Sequence, residues 1–143
     1  MRILYAYSAT IGVVAMLYSC GVANAAIDVT RQEAAAAENL ISQCAAQQGK
    51  SAINCVAGAL DGLANGLQKA DIPQKAPSAS SATAQAASGL RGAAAKPAAL
   101  GVLNRARSIL SGLAAKSSGE AAQVYSRVSS VMSRALGVIN RKG

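Results

Sequence analysis

The sequence predicts an all-α fold of two helical hairpins, a small four-helix arrangement joined by an Ala/Ser/Pro-rich linker. Three observations support this prediction. Beyond residue 26 the chain is rich in Ala, Ser and Gly, has no Phe or Trp, and lacks the alternation typical of strands. Two stretches begin with the Ser/Thr-x-x-Glu pattern that opens helices. Two cysteines lie at equal distances from a central Gly49-Lys50, as facing residues of two helices joined by a turn would.

The first 25 residues have the layout of a secretory signal peptide. Arg2 precedes a mostly apolar run over 3–18, and Ala23 and Ala25 occupy the small-residue positions of a cleavage site. We expect cleavage after Ala25 and a periplasmic or secreted product. Two alternatives stay open. One is an uncleaved membrane anchor, since the apolar run is nearly long enough to span a bilayer. The other is a lipid anchor at Cys20, which small residues flank.

The N-terminal hairpin is predicted from the signals at the ends of its two helices. The first helix should begin at the capping box of Thr30 and Glu33 and end near Gly49, which accepts a left-handed backbone. Ser51 should cap the second helix, and Pro73 forbids its continuation. These signals predict two helices that run in opposite directions from one turn.

We expect this hairpin, residues 26–72, to be clasped by a disulfide between Cys44 and Cys55. The compartment beyond the membrane is oxidising, so two cysteines in an exported chain favour one disulfide. A disulfide holds its α-carbons within about 4.4–6.8 Å, closer than ordinary helix packing allows. Small residues should therefore line the contact. The residues predicted to pack closely share a stripe with Cys55 and are Gly58, Gly62 and Gly66.

The second helix should also bury a separate apolar face. Large apolar residues recur along it at helical spacing, well away from the glycines. They are Ile53, Val56, Leu60, Leu63 and Leu67. A helix with two packing faces needs two neighbours, and the second must come from downstream or from another molecule. We expect the C-terminal helices to supply it.

The middle of the chain, residues 73–96, has the composition of a low-complexity linker of Pro, Ala and Ser. A frayed alanine helix over 81–96 is the alternative, which Pro77 and the interspersed glycines disfavour. The sequence therefore predicts a linker between two hairpins.

Residues 97–143 are predicted to form a basic amphipathic hairpin. Its first helix starts at Pro97, which suits a first helical turn, and its second opens at the capping box of Ser117 and Glu120. Each helix has one apolar stripe. The stripes are Leu100, Leu103, Ala106, Leu110, Leu113 and Ala114 in the first helix, and Val124, Val128, Val131, Ala135, Val138 and Ile139 in the second.

The formal charge of +8 is concentrated in the C-terminal half. Residues 76–143 carry nine Lys or Arg residues and a single acid, Glu120. This asymmetry favours an anionic partner; the alternative is that the charge only keeps alanine-rich helices soluble. The candidates for contact with an anionic surface are Arg105, Lys116, Arg127, Arg134 and Arg141.

The sequence argues against catalysis, metal binding and a cofactor. It contains no histidine, and no two of its carboxylates lie three or four residues apart on a predicted helix. The spacing of Cys44 and Cys55 fits no C-x-x-C motif, and the pair cannot complete a zinc site without carboxylates. Nucleic acid is not an expected partner, because Tyr125 is the only aromatic residue after the predicted cleavage site.

We therefore expect a small exported, non-catalytic helical protein that binds an envelope or secreted protein, or itself. The alternative is a cationic amphipathic protein whose C-terminal hairpin docks on acidic lipid or on an anionic polysaccharide such as lipopolysaccharide. After the first 25 residues no segment is apolar for long enough to predict a transmembrane helix.

Overall fold

The computed structural model describes residues 28–69 and 77–143, and within these ranges the protein is all-α. Five helices occur there: α1, whose described part covers 28–44, α2 (Lys50–Lys69), α3 (Pro77–Gly92), α4 (Lys96–Lys116) and α5 (Gly119–Lys142). The predicted signal peptide lies outside the described residues. Across the two described ranges, none of the helices combines the length and the apolar character needed to cross a membrane.

The prediction of four helices is wrong, because most of the supposed linker forms α3. Its inward face is built almost entirely from small residues, and the buried ones are Ala79, Ser80, Ala82, Thr83, Ala86, Ala87 and Leu90. Ser80 donates its hydroxyl to the Ala64 carbonyl of α2 at 3.2 Å, and Thr83 donates to the carbonyl of Ala79 at 2.7 Å. Small side chains allow close approach and the buried hydroxyls are paired, so an Ala/Ser helix can belong to the core.

The described helices follow one another as neighbours. Among α2 to α5, α2 packs mainly against α3, α3 packs against both α2 and α4, and α4 packs mainly against α5. Short connections reverse the chain between the later helices, through 93–95 and through Ser117 and Ser118. The large apolar face predicted on α2 is buried, but it packs mainly against α3 rather than against the C-terminal helices. The prediction that the C-terminal helices cover this face is therefore wrong, and α3 is its main neighbour among α3 to α5.

α1 and α5 run in the same direction and are neighbours. Glu38 in α1 pairs with Arg127 and Arg134 near the middle of α5. Farther along both segments, the backbone N–H of Gly49 donates to the Lys142 carbonyl at 2.7 Å. Both contacts therefore occur in the same order along the two segments, as in parallel helices. Five helices that alternate in direction leave the first and last parallel, and here these two meet.

α1 and α2 run in opposite directions in the register that the cysteines predict. The sulfur atoms of Cys44 and Cys55 lie 2.10 Å apart and the α-carbons 5.6 Å apart, a disulfide arrangement. A second contact in this register joins Glu33 and Gly66, since a Cβ added to Gly66 would overlap the Glu33 side chain. Both pairs are equidistant from the turn, as antiparallel helices require.

The predicted glycine stripe is wrong at two of its three positions. Gly58 and Gly62 are exposed, and a Cβ added to either would meet nothing within 4 Å. At ~100° per residue, the buried arc of α2 runs from Gly66 through Ala59 and Ala52 to the large apolar face. Gly62 and Gly58 lie just outside that arc. The close approach is therefore confined to Gly66.

The predicted helix starts are displaced by one or two residues in α2 and α5 and by more than two in α1. α1 is already helical at residue 28, so Thr30 lies inside the helix and is not its N-cap. Ser51 likewise lies inside α2, where the Gly49 carbonyl accepts a hydrogen bond from the N–H of Ile53 at 3.2 Å. The N-cap of α5 is Ser118, one residue beyond the predicted position, and its side chain makes no capping hydrogen bond.

The apolar stripes predicted in the C-terminal helices face the core. All six stripe residues of α5 are buried, together with Tyr125 and Met132. In α4, Leu103, Ala106 and Leu110 are buried, whereas the remaining stripe residues are half-buried against the same core. Polar and basic residues thus form most of the outer surface of both helices.

Candidate binding surface

The candidate surface lies on the outer sides of α3, α4 and α5, where the basic residues concentrate. Five cations were singled out from the sequence, and the structure separates them into two groups. Arg127, Arg134 and Arg141 lie along α5, whereas Arg105 and Lys116 lie on α4. Their surroundings determine which of them can meet an external anion.

Two arginines of the α5 row face an acid of the same chain. Arg127 donates to both carboxylate oxygens of Glu38, with Nη2 lying 3.4 Å from Oε2, and its side chain is only 32% exposed. Arg134 places its Nε 3.9 Å from the same carboxylate. The Glu38 side chain is 19% exposed, so this cluster is partly removed from water. The cluster ties α1 to α5, which is a structural role.

The third member of the row makes only a local contact. Arg141 is exposed and donates its Nε to the carbonyl oxygen of Gly137, one turn earlier, at 3.2 Å. A cation near the carboxyl end of a helix stabilises the last carbonyl groups through the helix dipole. The evenly spaced row that the sequence suggested therefore does not present three equivalent cations.

The two α4 cations are exposed and available. Neither Arg105 nor Lys116 takes part in an ion pair within the described residues. They are eleven residues apart (116 minus 105), which brings them onto the same face about 16 Å apart along the helix axis. Of the five predicted candidates, these two are the best placed to bind an anion.

The chain from 77 to 119 contains no acidic residue. Arg91, at the end of α3, is neutralised by Asp61 of α2. Lys96 and Arg107 complete the cations of α4, and Arg107 donates weakly to the neighbouring Asn104 side chain at 3.4 Å. The outer face of α3 and α4 therefore carries positive charge that no acid of the same segment offsets.

A groove of about 220 Å³ runs between α3 and α4 beside Arg105. Ala82, Ala86 and Ala106 line it, and their short side chains leave the space between the two helices open. The helices come closest at Gly89, where an added Cβ would press on the Val102 side chain at 2.8 Å. The groove is thus a consequence of small residues on both walls.

Ile109 borders this groove and is 44% exposed. Its neighbour one turn earlier is Arg105, so an apolar and a cationic side chain stand side by side at the rim. Sequence reasoning missed this residue, because it lies outside the apolar stripe of α4. The signal was present in the sequence as a large apolar residue on the charged face of an amphipathic helix.

A larger groove of about 400 Å³ lies between α1 and α5. It is lined by Thr30, Arg31, Gln123, Ser126 and Arg127, among others, and the surface that these residues expose to it is largely apolar. Arg127 is engaged by Glu38, and Arg31 lies 3.8 Å from Asp28. Its cations are therefore already balanced within the chain.

Among residues 28–69 and 77–143, no cluster of three or more Cys, Asp or Glu side chains is placed to hold a metal ion. No known protein family, no curated protein and no solved structure matches the chain.

Proposed function

We propose that the protein is a small exported, non-catalytic helical protein that acts by binding a protein partner. The observation that supports this most strongly is that both C-terminal apolar stripes face the core. Val128 and Val131 of α5 and Leu103 of α4 are fully buried. Amphipathic helices that cover one another in this way turn mainly polar faces outward, and such faces bind other molecules without inserting into a bilayer.

Export is supported by the N-terminal sequence and by the cysteine pair. Arg2, the apolar run over 3–18 and the small residues before Ala26 follow the order of a signal peptide. Cys44 and Cys55 stand at disulfide distance, which suits an oxidising compartment. Mass spectrometry of the mature protein from producing cells should find Ala26 as the first residue and no free thiol. A retained N-terminal segment or two free thiols would contradict export by cleavage.

The absence of catalytic activity is supported by the residue types available. The chain has no histidine, and three of its described carboxylates, Asp28, Glu38 and Asp61, are ion-paired. A protein with these side chains has few groups suited to proton transfer or nucleophilic attack.

A second candidate function is docking on acidic lipid or lipopolysaccharide. The specific observation in its favour is that Arg105 and Lys116 lie exposed on one face of α4 without an acidic partner. Cations on one helix face are attracted to anionic headgroups, and this attraction weakens with salt. In contrast to the sequence-based alternative, the apolar stripes would take no part.

Co-sedimentation with vesicles separates the two functions. The full mature protein is mixed with acidic and with neutral vesicles at low and at high salt. The proposed function predicts no sedimentation with either vesicle at physiological salt. Salt-sensitive binding to acidic vesicles, lost in Arg105→Gln/Lys116→Gln, would favour the second candidate. Arg127→Gln serves as the matched control, since this arginine is held by Glu38.

A further inference from the structure

We propose that the groove between α3 and α4 binds an acidic amphipathic helix of a partner protein. This inference rests on the proposed function and adds to it the site and the chemistry of the partner. The ridge of apolar side chains on the partner would enter the groove beside Ile109, and its carboxylates would meet Arg105 and Lys116. Helix-in-groove binding is a recurring mode of peptide recognition.

The shape of the groove favours a helix as its occupant. Ala82 and Ala86 on α3 and Ala106 on α4 form the buried base of the groove, and the space beside these short side chains amounts to about 220 Å³. A ridge of side chains fits between two such walls, as ridges fit into grooves when helices pack. A flat bilayer surface would touch only the two outer edges of the groove and leave its floor uncovered.

The apolar part of the contact centres on Ile109. This side chain is 44% exposed at the rim of the groove, which the half-buried Val102 also lines two turns earlier on α4. Covering an exposed apolar side chain removes its surface from water, which favours association. The partner helix therefore needs at least one apolar anchor opposite Ile109.

The charge of the groove determines the chemistry of the partner. Arg105 lines the groove, Lys116 lies on the same helix face, and the segment 77–119 contains no acid. Complementary charge favours an acidic partner and disfavours a basic one. Because the two cations are about 16 Å apart along the axis, carboxylates three turns apart on an antiparallel or parallel helix can meet both.

Three of the five acids described in a second copy of this chain are already paired with cations of that copy. Glu38 is engaged by Arg127, and Asp61 is engaged by Arg91. Asp28 lies 3.8 Å from Arg31 on its own helix. Self-association through the groove would compete with these pairs and would bring together two chains of the same positive net charge, so a different, acidic protein is the occupant that the charges favour.

The test uses three labelled helical peptides of equal length that share one leucine stripe. Their polar faces carry Glu, Gln or Lys, and in the acidic peptide two Glu residues are eleven positions apart. Fluorescence anisotropy with the full mature protein should give at least tenfold tighter binding of the acidic peptide than of the Gln peptide. Ile109→Gln and Arg105→Glu should each lower the affinity for the acidic peptide at least tenfold.

Matched control variants are available elsewhere on the surface. Leu40 is the other large apolar residue exposed within the described ranges, at 48%, and it lies on α1 away from the groove. Arg107 is exposed on α4 but does not line the groove. Leu40→Gln and Arg107→Glu should therefore leave binding within twofold of the parent.

Several outcomes would overturn the proposed site. They are equal affinity for the acidic and Gln peptides, no binding of any peptide, or equal losses in the groove and control variants. If the parent sedimented with acidic vesicles and Arg105→Glu did not, the surface would be assigned to lipid instead. Crosslinking in producing cells can also capture a protein partner. Equal crosslinking to the parent and to Arg105→Glu would contradict this site but would agree with the proposed function.

Discussion

The backbone N–H of Gly49 donates a hydrogen bond to the carbonyl oxygen of Lys142, 2.7 Å away. The bond joins the turn after α1 to the last residue of α5, whose carbonyl has no donor within its own helix. Gly49 reaches this position with a φ of +60°, a left-handed backbone that glycine adopts without cost from a Cβ. The first turn of the described chain and its last helix are therefore held by one backbone contact.

Gly49→Ala should lower the free energy of unfolding by about 1 kcal/mol, because alanine is strained in the left-handed conformation. Urea denaturation followed by circular dichroism measures the change. Gly112→Ala is the matched control, since Gly112 is exposed inside α4 and a Cβ there would meet nothing within 4 Å. The free energy of unfolding of this control should rise by up to about 1 kcal/mol. A gain in both variants would contradict the role given to the Gly49 backbone.

The cysteine pair should account for a large share of the stability. The double variant Cys44→Ala/Cys55→Ala should lose about 3 kcal/mol, since the bridge closes a loop with a sequence separation of 11 and restricts the unfolded chain. Alanine avoids leaving a free thiol or a buried hydroxyl, because Cys44 is fully buried. The parent treated with dithiothreitol should unfold at the same urea concentration as the variant. If dithiothreitol did not change the urea midpoint of unfolding of the parent, no disulfide would be stabilising it.

The Glu38 cluster should contribute more than an exposed ion pair does. Glu38→Gln should cost about 1–2 kcal/mol, because Arg127 is partly buried and would lose its charged acceptor. Asp28→Asn is the control: its pair with Arg31 has side chains that are 64% and 66% exposed, and exposed pairs contribute less than about 1 kcal/mol. A double-mutant cycle with Arg127→Gln measures the coupling. Coupling no larger than that of the exposed pair would contradict this role.

Much of the core could be predicted from spacing alone. The face of α2 that contains Leu60 and Leu63 and the stripe of α5 that contains Val128 consist of large residues at helical intervals, so periodicity identifies them. The register of α1 and α2 also follows from Cys44 and Cys55, which are equidistant from the turn. These signals are local or symmetric, and no knowledge of the neighbouring helices is needed to interpret them.

α3 could not be predicted in the same way, because its burial depends on its neighbours. Ala79 and Ala87 are fully buried, yet an alanine contributes little apolar area and resembles the alanines of a linker. The hydroxyl of Ser80 finds its acceptor on α2, sixteen residues earlier in the chain. Composition therefore indicated a linker where tertiary contacts form a helix of the core.

The candidate surface could be predicted in sign but not in position. The excess of cations in the C-terminal half is visible in the sequence, whereas the pairing of Arg127 with Glu38 spans 89 residues. That separation hides the pair from any local pattern, and the groove beside Arg105 arises only when α3 packs on α4. The basic character therefore follows from composition, and the choice of Arg105 over Arg127 requires the fold.

The three glycines of α2 should respond differently to substitution by alanine. Gly58→Ala and Gly62→Ala should each raise the free energy of unfolding by about 0.5–1 kcal/mol, because both sites are exposed and alanine favours the helix. Gly66→Ala should gain nothing, since its Cβ would displace the Glu33 side chain. Thermal or urea unfolding of the three variants provides the comparison. A lower free energy of unfolding for all three variants would instead support a continuous contact along the three glycines, which the structure contradicts.

Lys50 should hold the carboxyl end of α3. Its Nζ donates to the carbonyl oxygens of Leu90 at 3.2 Å and Arg91 at 3.0 Å, and also to that of Ala93. Terminal carbonyls of a helix have no intrahelical donors, and a cation there also interacts favourably with the helix dipole. Lys50→Met keeps the aliphatic stem and removes the ammonium group, so it should cost about 1 kcal/mol and accelerate hydrogen exchange in the last turn of α3. Lys96→Met, at the start of α4, is the control and should leave exchange in that turn unchanged. Unaltered exchange after Lys50→Met would mean that the solvent satisfies these carbonyls equally well, and that the end of α3 is held by its apolar contacts alone.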